Sequence, residues 1–520
     1  MGALVGVDPP CDAEVKSVPS ADVGELETGK LSLTSLVPGC QDKFGRLASL
    51  EHLKVDWDVV RGMSLRESLQ QCGRLWLSTP EQLDDKARAR LWNKSRKVEK
   101  FDMFLSHTWR TRGLQKMLSL LLQAGYPTVL LFWLCSVSTA YFLLVSGWLP
   151  AHWRFQVQIL DFQASCESGP WILVASFVSV LLGMLVFPYL PNMCREPDVC
   201  FLDVASIHQK DQELMERGVY GIGGFLSITS DLRVLWSPPY LSRLWCVFEL
   251  AAYRKANPTG KITLTPLYVE MIAYGSTLMN FMVACAWWTS RVYSGEAASE
   301  CVSYAIALVP CSLAMHFLRK TYVKKHQLLK DLENFDLNQV HCSNDFDKEF
   351  IHAAIVEWYG SKEAFTAFVR GPLREELLVV VESCPRIAYP LFVTTQPLAS
   401  GLTLLAALHM ADAPFRPVAS YVFGSFLAYN VCWQLLSLKF IMYLCDRFAE
   451  AHRPGFCDAC QTVLIFLAGA GVSYAAAIVS RIVRQYSLWA SLIWFVLSLT
   501  ALCLQSSSRY LHARTPLVKR

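Results

Sequence analysis

Long runs without a charged side chain dominate the pattern of hydrophobic and polar positions along the chain. Each run has close to the ~20 apolar residues that an α-helix needs to cross the hydrocarbon core of a bilayer. In lipid such a run must be helical, because every backbone N–H and C=O group needs a partner within the segment. The pattern therefore predicts about eight transmembrane helices, which lie in the regions 128–149, 171–190, 270–291, 300–319, 386–412, 416–439, 458–481 and 484–509.

The basic residues between these runs predict the orientation of the chain. Clusters of Lys and Arg follow the fourth, sixth and eighth runs, and loops rich in these residues stay in the cytosol. An even number of spans puts both termini on one side, so we expect the N- and C-termini to be cytosolic. The loop with Arg481 and Arg484 is the exception, because this topology places it outside. The alternative is that the last two runs form a re-entrant or interfacial pair.

Two segments that are more polar than the predicted spans have the alternation of strand and helix that is typical of a parallel α/β sheet. The segment 100–125 begins with the apolar strand FDMFLS at 101–106 and continues with leucines and a methionine at helical spacing. The segment 198–270 contains three further strands and a helix before the last of them. These strands are predicted near 199–203, 232–236 and 262–269.

These patterns divide the chain into eight parts. The N-terminal part is rich in Gly, Pro, Ser and Asp without periodicity, so we expect it to be disordered. The parts are a disordered tail at 1–60, cytosolic helices with the first strand and helix of the α/β unit at 61–125, a transmembrane hairpin at 126–190, the remainder of the α/β unit at 191–270, a second transmembrane hairpin at 271–318, a cytosolic helical segment at 319–385, four transmembrane helices at 386–508, and a basic cytosolic tail at 509–520.

Four short motifs in the α/β segments resemble those of one known domain, in the same order. FDMFLS (101–106) and FLD (201–203) resemble the first two strands of TIR (Toll/interleukin-1 receptor) domains. YLSRLWCVFEL (240–250) is similar to the Tyr-x-Ser-x-x-Trp-Cys-x-x-Glu-Leu pattern of plant-type TIR domains. LTPLYV (264–269) resembles their Pro-Ile-Phe-Tyr strand. The resemblance implies a flavodoxin-like parallel sheet.

The chain departs from the TIR pattern by the transmembrane hairpin that separates the first strand from the second. Two spans return the chain to the same face of the membrane, so both strands can still pair in one sheet. The third span begins directly after Val269, which leaves no room there for the last TIR strand and helix. We therefore expect an α-helical multi-pass membrane protein with a cytosolic TIR-like unit that is split by a transmembrane hairpin.

The resemblance also implies a site. Some TIR domains cleave NAD at the nicotinamide–ribose bond, and their catalytic glutamate corresponds to Glu249 of this chain. Breaking that bond builds oxocarbenium-like positive charge, which a carboxylate stabilises. In this site Arg110 would contact a phosphate and Trp109 would stack on a base. The substrate-binding residues implied by the resemblance are His107, Trp109, Arg110, Asp203 and Trp245.

Other interpretations of the same residues stay open. Glu249 is equally explained as a packing or surface residue of its helix, with Trp245 in the core, and many TIR domains are scaffolds without activity. Three functions therefore compete: a signalling or scaffold module that self-associates through TIR–TIR contacts or recruits a protein partner, an NAD-cleaving enzyme, and a transporter or channel regulated by the α/β unit. The predicted spans lack charged residues at mid-membrane, which disfavours an ion-coupled transporter. We expect the signalling or scaffold function, with NAD cleavage as the alternative.

Composition and charge narrow the partners. Charged residues make up 18% of the chain, below the ~25% of soluble proteins, as expected of a chain whose main partner is the lipid bilayer. The net charge of +4 is small for 520 residues, so we expect no nucleic-acid partner. Cys457 and Cys460 form a CxxC pair without the four ligands of a structural zinc site. We therefore expect no metal and no cofactor, and NAD enters only as a substrate.

Overall fold

The computed structural model describes residues 45–46, 51–78, 84–191, 198–294, 296–342, 344–382, 389–450 and 455–512. Within these residues the fold is mostly helical, with one six-stranded sheet and one two-stranded sheet. The strands are β1 (Arg61–Ser64), β2 (Arg96–Lys97), β3 (Phe101–Ser106), β4 (Trp153–Ile159), β5 (Phe162–Ser168), β6 (Val199–Phe201), β7 (Thr229–Trp236) and β8 (Lys261–Pro266).

The helices follow the same numbering in chain order. In the first half they are α1 (Leu65–Leu77), α2 (Asp85–Lys94), α3 (Gly113–Val145), α4 (Trp171–Val186), α5 (Asp203–Ser206), α6 (Gln212–Tyr220), α7 (Ile222–Ser227) and α8 (Leu244–Ala256). In the second half they are α9 (Tyr268–Ser294), α10 (Glu296–Glu333), α11 (Asp345–Tyr359), α12 (Lys362–Phe368), α13 (Arg374–Glu382), α14 (Pro390–Met410), α15 (Phe415–Tyr421), α16 (Gln434–Arg447), α17 (Phe456–Tyr486) and α18 (Leu488–His512).

Among the described residues, six helical segments are long and apolar enough to cross a membrane, which is consistent with an integral membrane protein. They coincide with six of the eight predicted runs. The fourth run lies within α10, and π-helical turns at Val422–Trp433 divide the sixth run between α15 and α16. The count of eight spans therefore stays a prediction. The six segments are Gly113–Val145, Trp171–Tyr189, Tyr268–Tyr293, Pro390–Met410, Phe456–Tyr486 and Leu488–Gln505.

The larger sheet has the strand order β2-β1-β6-β3-β7-β8. The neighbours β6, β3, β7 and β8 are parallel, whereas β1 and β2 are antiparallel additions at one edge. If the four parallel strands are numbered by their order in the chain, they lie across the sheet in the order 2-1-3-4. This is the order of flavodoxin-like doubly wound sheets up to the fourth strand. The antiparallel edge is not predicted from the sequence, because RGMS and RK are too short to show a strand period.

The helical hairpin of α3 and α4 lies in the chain between β3 and β6, and the two strands nevertheless pair. Met103 is in register with Cys200, and the rings of Phe104 and Phe201 stack with their centroids 4.3 Å apart. The sequence predicts a short amphipathic helix followed by a separate span, but α3 is one continuous helix that includes Pro127. The helix after β3 is thus also the first candidate span.

Residues 51–60, which the composition assigns to the disordered tail, are packed against the sheet unit. Val59 and Val60 are buried, and the guanidinium of Arg217 forms an ion pair with Asp56 at 2.8 Å. His52 is fully buried with its ring edge-on to Phe350. The composition of the N-terminal region, averaged over 60 residues, does not predict that these few residues are packed. The rest of the predicted tail, 1–44 and 47–50, lies outside the described residues.

The loop between the first two candidate spans is a β-hairpin of β4 and β5, which the sequence analysis did not predict. Phe155, Val157 and Ile159 are buried and alternate with exposed residues in WRFQVQI, a period of two that is typical of a half-buried strand. Arg291 of α9 donates a hydrogen bond to the Gln156 carbonyl at 2.7 Å. The hairpin is therefore attached to the helical bundle.

The helices of the segment 319–385 pack against α8 of the sheet unit. Phe350, Ile351 and Ile355 of α11 belong to the same buried cluster as Phe248 of α8. In addition, the hydroxyl of Tyr359 donates to the carbonyl of Ala251 at 3.1 Å. The face of α8 that is turned toward these helices is therefore buried, and a ligand of the sheet unit cannot bind to it.

Candidate functional site

The candidate site lies at the carboxyl ends of the central strands β3 and β7. Ligands of doubly wound sheets bind outside the carboxyl ends of the strands, where the strand order reverses. Here that point lies between β3, which ends at Ser106, and β7, which ends at Trp236. Thr111, from the loop after β3, forms a hydrogen bond with Ser237, the residue that follows β7. The two strand ends are thus linked at the position where the topology predicts a ligand.

Glu249 reaches this position from α8. The hydroxyl of Ser106 donates a hydrogen bond to Glu249 Oε2 and also bonds to the hydroxyl of Tyr240. Ser106 and Tyr240 are buried, whereas Glu249 is partly exposed. The carboxyl group is therefore held in one orientation at the strand end.

The environment of Glu249 strongly changes its titration. Burial raises the pKa of this carboxyl from 4.5 to about 8, the hydrogen bond from Ser106 acts in the opposite direction, and the nearby carboxylate of Asp203 raises the pKa further. A carboxyl group with such a pKa is largely protonated at neutral pH. A cationic ligand would favour its ionised form. Perturbed carboxyl groups of this kind cluster at functional sites.

Asp203 and Trp109 form the neighbouring wall of the site. The indole Nε1 of Trp109 donates to Asp203 Oδ2 at 2.8 Å. This bond links the loop after β3 to the first residue of α5, which follows β6. The ammonium of Lys116 lies 4.6 Å from the centroid of the Trp109 ring and donates to the Thr108 carbonyl at 3.2 Å. A base that stacks on Trp109 would therefore share this ring with the Lys116 ammonium.

His107 is buried directly behind this wall. Its ring centroid lies 4.8 Å from that of Trp109, and Nδ1 lies 3.3 Å from the Leu105 carbonyl oxygen. Burial lowers the pKa of His107 to about 4, so the ring is neutral at physiological pH. With Nδ1–H donating to Leu105, Nε2 is an acceptor, and it has no hydrogen-bond partner among the described residues. His107 is therefore a neutral side chain behind the wall of the site, and its predicted role in substrate binding stays a prediction.

Arg110 and Trp245 occupy different surroundings from the rest of the predicted set. The side chain of Arg110 is exposed on the loop after β3. The indole of Trp245 donates to Asp347 Oδ2 of α11 at 3.1 Å, and its ring centroid lies 5.5 Å from that of Phe248. A partly buried indole N–H needs an acceptor, and here the helices of 319–385 provide it. The structure thus gathers Glu249, Asp203, Trp109 and His107, and places Trp245 in the interface with α11.

Ser106 and Tyr240 also lie at the site, although they are not among the residues predicted from the sequence. Both lie inside the motifs FDMFLS and YLSRLWCVFEL. The local signal for Ser106 is a small hydroxyl residue at the end of a strand whose preceding residues, apart from Asp102, are apolar. Tyr240 gave no such signal, because nine positions separate it from Glu249 and only the fold brings both to Ser106.

Neither a metal site nor a related protein adds information about the chemistry of this site. Among the described residues no group of three or more His, Cys, Asp or Glu side chains could hold a metal ion. Comparisons of the chain with protein-family models, with curated proteins and with solved structures find no match.

Proposed function

We propose that the chain is a membrane-bound signalling protein whose TIR-like α/β unit cleaves NAD at the nicotinamide–ribose bond. The observation that carries this proposal is the position of Glu249, which is held by Ser106 at the switch point of the sheet. A purely structural carboxyl group would be more stable in water than at a buried strand end, since burial costs free energy. This placement favours the enzymatic function over a scaffold function.

In the proposed reaction, the ribose C1′–N bond breaks and its electron pair leaves with nicotinamide, which becomes neutral. The positive charge moves to the ribose ring as an oxocarbenium-like centre, and the carboxylate of Glu249 stabilises it. Water then adds to C1′ and releases a proton, so the products are nicotinamide, ADP-ribose and one proton.

The raised pKa of Glu249 is compatible with this role, because the substrate brings its own positive charge. The pyridinium ring of NAD next to Glu249 would lower the pKa of the carboxyl and favour the ionised form. Ser106 keeps the carboxylate directed toward the strand edge, while Trp109 and Asp203 form the adjacent wall. Only the substrate-bound site would then contain the reactive anion.

Nicotinamide release by the full-length protein in lipid nanodiscs tests the proposal. Glu249→Gln keeps the size and the hydrogen-bond acceptor of the side chain but removes the charge, so we expect at least a ~100-fold loss of turnover. Glu375→Gln is the matched control, because Glu375 is exposed on α13. Equal background signals from wild-type protein and Glu249→Gln, with both shown to be folded, would refute catalysis and leave the scaffold function.

A further inference from the structure

A cavity of about 680 Å³ lies between α9, α10, α14, α16, α17 and the π-helical turns Val422–Trp433. Its volume is typical of small-ligand sites, which are mostly apolar with a few polar groups. Residues of α9 from Tyr268 to Trp287 line it, a length of about 29 Å at the 1.5 Å rise of a helix. The wall is largely apolar and includes Met279 and Phe466. A long cavity with such a wall fits an extended hydrocarbon chain.

Three neutral polar side chains, Asn430, Gln434 and Ser437, form a polar stripe along this cavity. Their spacing of four and then three positions places them on one face of the helical segment. The hydroxyl of Ser437 is buried and has no hydrogen-bond partner among the described residues. The amide of Asn430 fits closely into the wall, because a Cβ atom at Gly401 would collide with its Nδ2. The stripe is therefore a defined part of the cavity.

The polar stripe has unused hydrogen-bonding capacity. Within the described part of the chain, no hydrogen bond joins the amide of Asn430 or Gln434 to another residue, whereas the indole of the adjacent Trp433 donates to Ser498 at 2.9 Å. The stripe lies in the predicted span 416–439. An amide or hydroxyl without a partner costs free energy in surroundings of low dielectric constant. A ligand with several hydroxyl or carbonyl groups would remove this cost.

The charged side chains along the cavity do not require an ionic ligand. The described lining residues include no Asp or Glu. The Lys320 ammonium is neutralised by Asp458, whose Oδ2 lies 2.7 Å away, and Lys324 is exposed. Both arginines of the lining, Arg481 and Arg484, already interact within the protein. The hydrogen-bonding groups left for a ligand are therefore the neutral ones of the polar stripe.

We propose that this cavity binds one neutral single-chain lipid with a hydroxylated headgroup, of the monoacylglycerol class. The two hydroxyl groups and the ester carbonyl of such a lipid form hydrogen bonds with the three side chains of the polar stripe, and the acyl chain extends along α9. Water alone would satisfy the stripe but leave the apolar wall wet, and a sterol has one hydroxyl for three polar groups. The cavity is separate from Glu249, so its occupancy does not depend on NAD cleavage.

Two matched pairs of variants test the wall of the cavity. Gly275 lines it, and a Cβ atom added there meets no atom within 4 Å, so Gly275→Leu fills the cavity without a backbone collision. Gly471 also has open space around its Cβ position but does not line the cavity, so Gly471→Leu is the control. Gln434→Leu removes one amide of the polar stripe. Its control is Gln327→Leu, because Gln327 is exposed on α10 outside the cavity.

Native mass spectrometry of the detergent-solubilised full-length protein measures this binding directly. The probe is monoolein. Methyl oleate has the same chain without hydroxyl groups, and oleate has the same chain with a negative charge. We expect one saturable site for monoolein and about 10-fold or weaker binding of both comparison lipids. Gly275→Leu and Gln434→Leu should each weaken monoolein binding by about 10-fold or more, whereas the two control variants should bind it as the wild type does.

The results separate the proposal from its alternatives. If Gln434→Leu does not fold, Gly275→Leu alone still tests whether the lipid occupies the cavity. Binding by Gly275→Leu equal to that of Gly471→Leu would overturn the proposal, as would the absence of bound monoolein, which would leave water as the occupant. Equal affinity for monoolein and methyl oleate would also overturn it, since the polar stripe would then not hold the headgroup. Tighter binding of oleate would show that the basic side chains select an anion instead.

Discussion

Ser106 donates a hydrogen bond to Oε2 of Glu249, although 143 positions separate the two residues in the chain. A complete helical hairpin, α3 and α4, lies between them. The contact forms because β3 is the neighbour of β7 in the sheet, and α8, which carries Glu249, follows β7. This single bond joins the two halves of the split sheet at the proposed site and lowers the pKa of Glu249 against the effect of burial.

Replacement of Ser106 by alanine should raise the pKa of Glu249 above about 8, because the hydrogen bond that favours the carboxylate is lost. Hydrogen bonds to charged groups contribute about 1.5–3 kcal/mol, so the ionisation of Glu249 should move by about 1–2 pH units. We expect nicotinamide release at pH 7 to fall about 10-fold or more, with recovery at alkaline pH. The measurement is a pH profile of turnover beside Ser227→Ala, whose hydroxyl bonds locally to the Gly224 carbonyl. An unchanged profile would argue against Glu249 as the group that titrates.

The stability of the protein should depend on pH through the same carboxyl. The folded pKa of about 8 lies above the ordinary value of 4.5, so the folded state favours the protonated form. This stabilisation is complete below about pH 4.5 and is lost as the pH rises toward about 8. Glu249→Gln cannot ionise at this position. The thermal midpoint of this variant minus that of the wild type should therefore increase from about pH 5 to about pH 8 and stay constant above it. Parallel curves for the two proteins would show that Glu249 is not buried as an acid.

Trp245 should affect stability rather than substrate binding. Phenylalanine at this position keeps the aromatic contact with Phe248 but removes the indole hydrogen bond to Asp347. We therefore expect Trp245→Phe to lose about 1–2 kcal/mol of stability and to keep the KM for NAD. Thermal unfolding and steady-state kinetics together check this. A raised KM at unchanged thermal midpoint would restore the substrate-binding role that the TIR resemblance implies.

Arg319 should be among the most sensitive positions of the helical bundle. Its guanidinium is fully buried, donates to the carbonyls of Phe448 and Asp458 at 2.9 Å each, and lies 2.9 Å from Asp458 Oδ1. Arg319→Met removes one partner of a buried pair, which typically costs about 3–5 kcal/mol. The comparison is Lys330→Met, because Lys330 and Glu450 form an exposed pair 3.1 Å apart that contributes at most about 1 kcal/mol. Similar thermal midpoints for the two variants would contradict the buried network.

Particular residues show how far sequence reasoning reaches here. The strands around Phe104 and Leu232 were predicted because their apolar runs are local signals. The hairpin β4–β5 has an equally local signal, the alternation in WRFQVQI, although this region lies in the loop between the first two predicted spans. Val59 and Val60 carried no periodicity at all, and their burial depends on contacts with distant parts of the chain. The predicted role of Glu249 depends on family resemblance, and the structure adds only the surroundings of its carboxyl group.

The sequence by itself determined the membrane character of the chain and the presence of a sheet unit, because apolar run length and strand period are properties of consecutive residues. Only the tertiary structure decided that Ser106 and Tyr240 meet Glu249, that Trp245 belongs to an interface with α11, and that Arg484 lines a cavity. Each of these depends on which distant elements become neighbours. That choice follows from the connectivity of the sheet and the packing of the helices, which no local pattern records.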